Sequence, residues 1–263
     1  MTLGMAWVRN LGSIRELIVA SDSRLSGGQF WDANPKIVML PRTDSVLSFA
    51  GSTFDAYPLI LQAYNAIAMF EKARSGAVDL ADLKGHLLRV FNRSREFISG
   101  LPVGQIAPDP AEATFILSGY SWRSKQFLIW KLHFDQNLSK YTFRPTHDWQ
   151  GQDGESKRIA FVGDEDAVSD AKSSLVEKLR SNGRLTSGGL NMEPFEVLRD
   201  IIRSGKFRSV GGAPQIVKIY EHMNINPFGI YWPDKKSGNV TIFGRPLMKY
   251  EKPPSGVIDP DDL

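Results

Sequence analysis

The chain has no cysteine in its 263 residues. That absence excludes disulfides and thiol catalysis and fits a reducing compartment. It also lacks a charged leader followed by an apolar run, and no stretch is long enough to span a bilayer. A cytoplasmic chain without membrane contact is expected. The four histidines, His86, His133, His147 and His222, have no paired spacing of the kind that holds zinc, and no phosphate-binding glycine motif is present. No metal or cofactor is called for. Net charge is only +3, and the densest basic group, Arg89, Arg93 and Arg95, reads as a solvated helix face. Nucleic acid is not an expected partner.

What is present begins with Thr2, directly behind Met1. Removal of Met1 would put a hydroxyl and a free α-amine on one residue, a nucleophile with its own base. An α-amino pKa of roughly 7.7–8.0 suits a base at neutral pH. Downstream, residues 2–9 and 16–22 read as strands, the second carrying the apolar run Leu17-Ile18-Val19-Ala20 of a strand buried on both faces. A polar Gly27-Gly28 loop follows, then strands over 35–40 and 45–52, and a long helix over 53–74.

Apolar spacing predicts a second helix over 79–98, its stripe formed by Leu80, Leu83, Leu87, Val90, Phe91 and Phe97. Strands are expected over 113–120, 126–134, 140–143 and 158–163, helices over 167–179 and 194–202, and strands over 211–220, 228–232 and 240–243. The order of strands, two helices, strands, two helices, strands predicts an α+β fold arranged as an αββα sandwich, which generic α+β packing would also permit. With no long linker and 42% hydrophobic residues, residues 1–250 form a single domain, and 251–263 a polar, frayed C-terminal tail.

The early threonine, Ile18-Val19-Ala20-Ser21-Asp22-Ser23-Arg24, Pro35-Lys36-Ile37-Val38 and Phe49-Ala50-Gly51-Ser52-Thr53 together resemble the proteasome β-subunit and HslV-type threonine peptidases of the N-terminal nucleophile (Ntn) hydrolase class. The resemblance implies a four-layer αββα sandwich with Thr2 as nucleophile and amine base, Asp22 as lysine partner, Lys36 as the charge tuning Thr2, and Gly51 as oxyanion N–H donor. Chemistry supports each role. A cation near Thr2 disfavours a protonated amine and favours the alkoxide. A buried ammonium needs a carboxylate, and a glycine lets backbone approach a carbonyl closely. Taken singly, Asp22 also reads as a turn residue, Lys36 as a solvated lysine and Gly51 as a strand-to-helix turn.

The resemblance departs from the family's pattern in the second half. The family's Gly-Ser-Gly corresponds to Gly163-Asp164-Glu165, so Asp164 stands where the serine is expected. A carboxylate there either bonds the amine or favours its ammonium and weakens the base. The Asp-x-x-Ser-Gly-Gly segment corresponds to 207–212, where Ser209 fits its serine only with a one-residue shift. By this resemblance the expected activity is threonine-type peptide hydrolysis through an acyl-enzyme. Its implied partners are a peptide or protein substrate, a homo-oligomeric ring of copies, and an unfoldase. Trp31 and Trp149 are the aromatic hints of an interface. The rivals are a catalytically silent scaffold subunit and a non-peptide amidase or acyltransferase on the same fold.

Overall fold

A computed structural model describes residues 2–146, 148–150 and 156–263, without the side chains of 148–150 and 156. Met1, on whose removal the Thr2 expectation depends, lies outside the described residues, as do His147 and the Trp149 side chain. The fold is α+β, with five α-helices among the described residues.

Strands β1 (Leu3–Leu11) and β2 (Ile14–Ser21) form a hairpin closed by Gly12-Ser13, with Leu11 opposite Ile14 and Gly4 opposite Ser21. Then follow β3 (Leu25–Gly27), β4 (Gln29–Trp31), β5 (Ile37–Met39) and β6 (Ser45–Ala50). Helices α1 (Thr53–Ala68), α2 (Glu71–Arg74) and α3 (Leu80–Arg95) lead into β7 (Thr114–Ser121), β8 (Gln126–Asp135), β9 (Lys140–Pro145), β10 (Asp148–Gln150) and β11 (Ser156–Gly163). After α4 (Glu165–Ser181) and α5 (Glu193–Ser204) come β12 (Gln215–Tyr220) and β13 (Ile225–Pro227). Last are β14 (Gly229–Tyr231), β15 (Val240–Ile242), β16 (Arg245–Pro246) and β17 (Val257–Ile258).

Two antiparallel sheets organise the molecule, one ordered β10-β11-β1-β2-β12-β13 and the other β5-β6-β7-β8-β9. Side chains alternate between faces along a strand, and β2 uses that alternation twice. Leu17 and Val19 join a cluster with Ile37, Val46, Ile116, Phe127 and Ile129 of the other sheet, while Ile18 and Ala20 turn to Ala171, Leu175, Leu198 and Ile201 of α4 and α5. Burial on both faces accounts for the unbroken apolar run. A third cluster sets Leu47, Phe49, Phe115 and Leu117 against Leu59, Ala63, Leu83, Leu87 and Phe91 of α1 and α3.

The structure corrects several boundaries. The helix expected over 53–74 stops at Ala68, because Phe70 turns extended (φ −105, ψ 98) before α2. Buried Arg42, paired with Asp44, holds that turn in place by donating to the Ala73 and Val78 carbonyls. Phe97, expected on the α3 stripe, is 72% exposed, since α3 ends at Arg95 and its buried stripe is Leu80, Leu83, Leu87 and Phe91. The loop at Gly27-Gly28 is a β3–β4 hairpin, with Phe30 under the guanidinium groups of Arg24 (4.6 Å) and Arg208 (5.1 Å). The tail expected to fray is docked: β17 pairs parallel with β14, and Arg203 binds both Asp261 carboxylate oxygens. Hydrogen bonds and an ion pair hold what polar composition alone left free.

Candidate functional site

At the ends of β1 and β2 the chain gathers the buried polar residues Thr2, Asp22, Ser23, Lys36 and Gln215. Asp22 is the hub. Its Oδ1 accepts the Leu3 N–H (3.0 Å) and the Lys36 Nζ (2.9 Å), and its Oδ2 accepts the N–H groups of Arg24 (3.1 Å) and Gly211 (3.0 Å). The carboxylate thus ties the residue after Thr2 to the lysine by one oxygen. Both members of the Asp22–Lys36 pair are fully buried. Burial pushes the Lys36 ammonium below its ordinary value, with Asp22 opposing that push and Asp164 adding to the opposition. A buried, paired ammonium with a depressed pKa is a tuned group rather than a solvated strand-end lysine.

Gln215 is the connector that sequence reasoning missed. Its Nε2 donates to the carbonyls of Asn34 (2.6 Å) and Asp22 (3.2 Å), and its Oε1 accepts the Lys36 N–H (3.0 Å). It therefore fixes the backbone on both sides of the ion pair. The available signal was an uncharged polar residue opening a strand whose next two residues are apolar, Gln215-Ile216-Val217.

Thr2 is 1% exposed. Its carbonyl accepts the Asp164 N–H at 3.0 Å, and the approach is close enough that a Cβ on Gly163 would sit 1.9 Å from that oxygen. Gly163, at φ +142, is required by space and by conformation. Asp164 is the N-cap of α4 but makes no side-chain cap bond. Its carboxylate instead accepts the Ser209 hydroxyl. The two residues at which the sequence departs from the family's pattern thus pair with each other, across 45 positions.

Gly51 and Asp164 line one cavity of about 1020 Å³, together with Leu25, Phe30, Trp31, Phe54, Glu112 and Lys131 among others. Thr2, Asp22 and Lys36 are not among its lining residues; Thr2 adjoins it through Gly163 and Asp164. Gly51 has φ +103, and a Cβ there would lie 2.0 Å from the Glu112 carbonyl. Any other residue would have to displace β7's leading segment. Among the described residues, no group of three or more His, Asp or Glu is arranged to hold a metal ion.

No protein-family model matches the chain, and no curated protein is similar to it in sequence. No helix among the described residues is long and apolar enough to cross a membrane.

Proposed function

We propose that the chain is an Ntn-type threonine peptidase resembling proteasome β-subunits, a four-layer αββα sandwich that works in the cytoplasm as a ring of copies. After Met1 is removed, the Thr2 hydroxyl attacks a peptide carbonyl and its proton passes to the Thr2 amine. The oxyanion meets the Gly51 N–H. The tetrahedral intermediate collapses as the leaving amine takes the proton, giving an ester on Thr2, and water hydrolyses that ester to return the enzyme. Lys36, held by Asp22, keeps the Thr2 amine unprotonated and stabilises the alkoxide. The layered sandwich is supported by the three apolar clusters, one between the sheets and one beneath each helix pair.

The observation that carries the reading is the shared Asp22 Oδ1, which accepts both Lys36 Nζ and the N–H of the residue following Thr2. A solvent-excluded charge pair costs desolvation. Its position beside a threonine terminus gives that cost a catalytic use. A second reading, a proteasome-like subunit without catalysis, is favoured by Asp164 standing where the family's serine is expected, its backbone N–H on the Thr2 carbonyl and its carboxylate taken up by the Ser209 hydroxyl.

A threonine-directed β-lactone or epoxyketone separates the two. Intact-mass analysis is expected to find the chain without Met1 and with one probe adduct, mapped to Thr2, which Thr2→Ala abolishes without changing the melting temperature. Retained methionine, or equal labelling of the variant, decides for the silent subunit.

A further inference from the structure

Residues 96–113 join α3 to β7 without helix or strand, yet the segment is fastened at several points. Arg95 donates to the Asp109 carbonyl at 2.7 Å and to one carboxylate oxygen of Asp55 on α1 at 3.4 Å, and the other Asp55 oxygen accepts the Glu112 N–H at 3.1 Å. Within the loop, the Gln105 side chain donates to the Ala107 carbonyl (2.8 Å) and the Asp109 carboxylate (3.0 Å), and its N–H closes a turn onto the Pro102 carbonyl (3.0 Å). Gly104 takes a positive φ (+90) as the third residue of that turn. Pro102, Pro108 and Pro110 fix φ at three more positions.

A loop held this way carries aliphatic side chains on its outside. Val103 and Ile106 are fully exposed. With the loop closed by these bonds, neither is taken up by a cavity of its own copy. Two aliphatic residues on one ordered tip mark a contact surface, and a tip already ordered loses little further freedom on association.

A receptor of matching chemistry lies between α1 and α3, a groove of about 690 Å³. Ala66, Met69, Val90 and Phe97 give it apolar walls, and Arg89 and Arg93 give it positive charge. Arg93 is paired with Glu96 on its own helix. Among the described residues, Arg89 has no ion pair or side-chain hydrogen bond. The loop has the opposite sign, since residues 99–112 contain Asp109 and Glu112 but no lysine or arginine. Apolar tip matches apolar wall, and acidic flank matches basic rim.

We propose that the Val103–Ile106 tip of one copy seats in the α1–α3 groove of a second copy. Tip and groove are different surfaces of the chain, so the contact is head-to-tail and repeats from copy to copy, closing a ring where the rotation allows. The inference rests on the association of copies in the proposed function and names its contact, independently of any chemistry at Thr2.

The lack of native cysteine makes disulfide trapping a clean test. Val103→Cys and Ile106→Cys are each co-expressed with Gln62→Cys, Asn65→Cys or Met69→Cys and oxidised at micromolar concentration. Dimers linking one tip variant to one groove variant are expected, and none when a single variant is oxidised alone, because a disulfide requires Cα atoms within about 7 Å. In sedimentation, the double variant Val103→Asp, Ile106→Asp is expected to weaken association at least about tenfold, since burial of one aliphatic side chain exceeds that step. Its melting temperature should not fall, as neither residue belongs to a core cluster. Arg89→Glu should weaken association too, most at low salt.

An oligomer in which no mixed pair traps, or which survives the double aspartate variant, overturns this docking and leaves the ring to another surface. Dimers formed by one tip variant alone also overturn it, since they mark a two-fold contact of loop with loop. A monomeric wild type removes both the docking and the ring. A trapped mixed pair in a protein that takes no label at Thr2 keeps the docking and loses the peptidase reading.

Discussion

Asp22 and Lys36 stand or fall together, because each is buried with the other as its charged partner. Lys36→Met leaves a carboxylate that still accepts three backbone N–H groups but lacks its counter-charge, a loss of about 3–5 kcal/mol. If the peptidase reading holds, single-turnover acylation of an activated peptide ester falls by orders of magnitude in this variant, including at temperatures where a thermal melt finds it folded. The pH dependence has a definite sign. Lys36 is depressed in the folded chain, so between that lowered value and the ordinary lysine pKa of about 10.4 the unfolded chain binds the extra proton. Wild type should gain stability as pH rises through that window, a gain absent from Lys36→Met when both are unfolded by urea across the alkaline range. Acylation by Lys36→Met at the wild-type rate would make the lysine structural only. The pair was legible in sequence because its members sit at strand mouths in a recognisable order. Gln215 was not, since a glutamine's two-sided bonding depends on which backbone groups the fold leaves unpaired there.

The elements were read with more success in type than in limits. Periodicity identified the longer strands and helices because both faces of β2, and the inner stripes of α1 and α3, are decided by burial, whereas short strands such as β3, β4, β13 and β17 carry too few residues to show a period. Their ends depend on contacts far along the chain: Arg42 holding the α2 turn, or Arg203 holding the tail. Asp79 is the sharpest case of such an end. As N-cap of α3 it accepts the Ala81 N–H at 3.0 Å, and its other oxygen accepts the Ser121 hydroxyl (2.8 Å) and the Arg123 N–H (3.2 Å). One carboxylate caps the helix and closes the β7–β8 turn. Burial pushes its pKa up, but these hydrogen bonds outweigh burial and leave it lowered. A lowered carboxylate contributes stability above the unfolded value of about 3.9 and loses it as pH falls toward the folded value. Asp79→Ala should therefore cost about 2–3 kcal/mol at neutral pH by denaturant unfolding, one cap plus stranded donors. The gap from wild type should narrow below about pH 4. A neutral-pH cost near zero would mean that water replaces the carboxylate at both ends.

At the scale of the whole molecule, the covered and uncovered surfaces of the helices differ. The inner stripe of α1, Ala56, Leu59, Ile60, Ala63 and Ile67, is buried, yet Phe54 (83% exposed) and Leu61 (63%), two turns apart, and Met69 (88%) at the C-cap face outward. Single exposed apolar residues are ordinary, whereas several on one helix are the usual mark of an interface. Trp31 also stands open, on the β3–β4 hairpin. Assembly into a ring, which the peptidase reading requires to shelter its nucleophile, gives the outward side of α1 an occupant, a second copy of the chain. Native mass spectrometry at micromolar concentration is expected to find a closed oligomer. The double variant Leu61→Lys, Met69→Lys is expected to shift it toward monomer with little change in melting temperature of the isolated fold, because neither side chain belongs to a core cluster. Burial of apolar area contributes roughly 25 cal/mol per Å², and two buried lysines forfeit that while adding desolvation. A wild-type monomer would remove the ring from the peptidase reading. An oligomer indifferent to both lysines would move the interface away from α1.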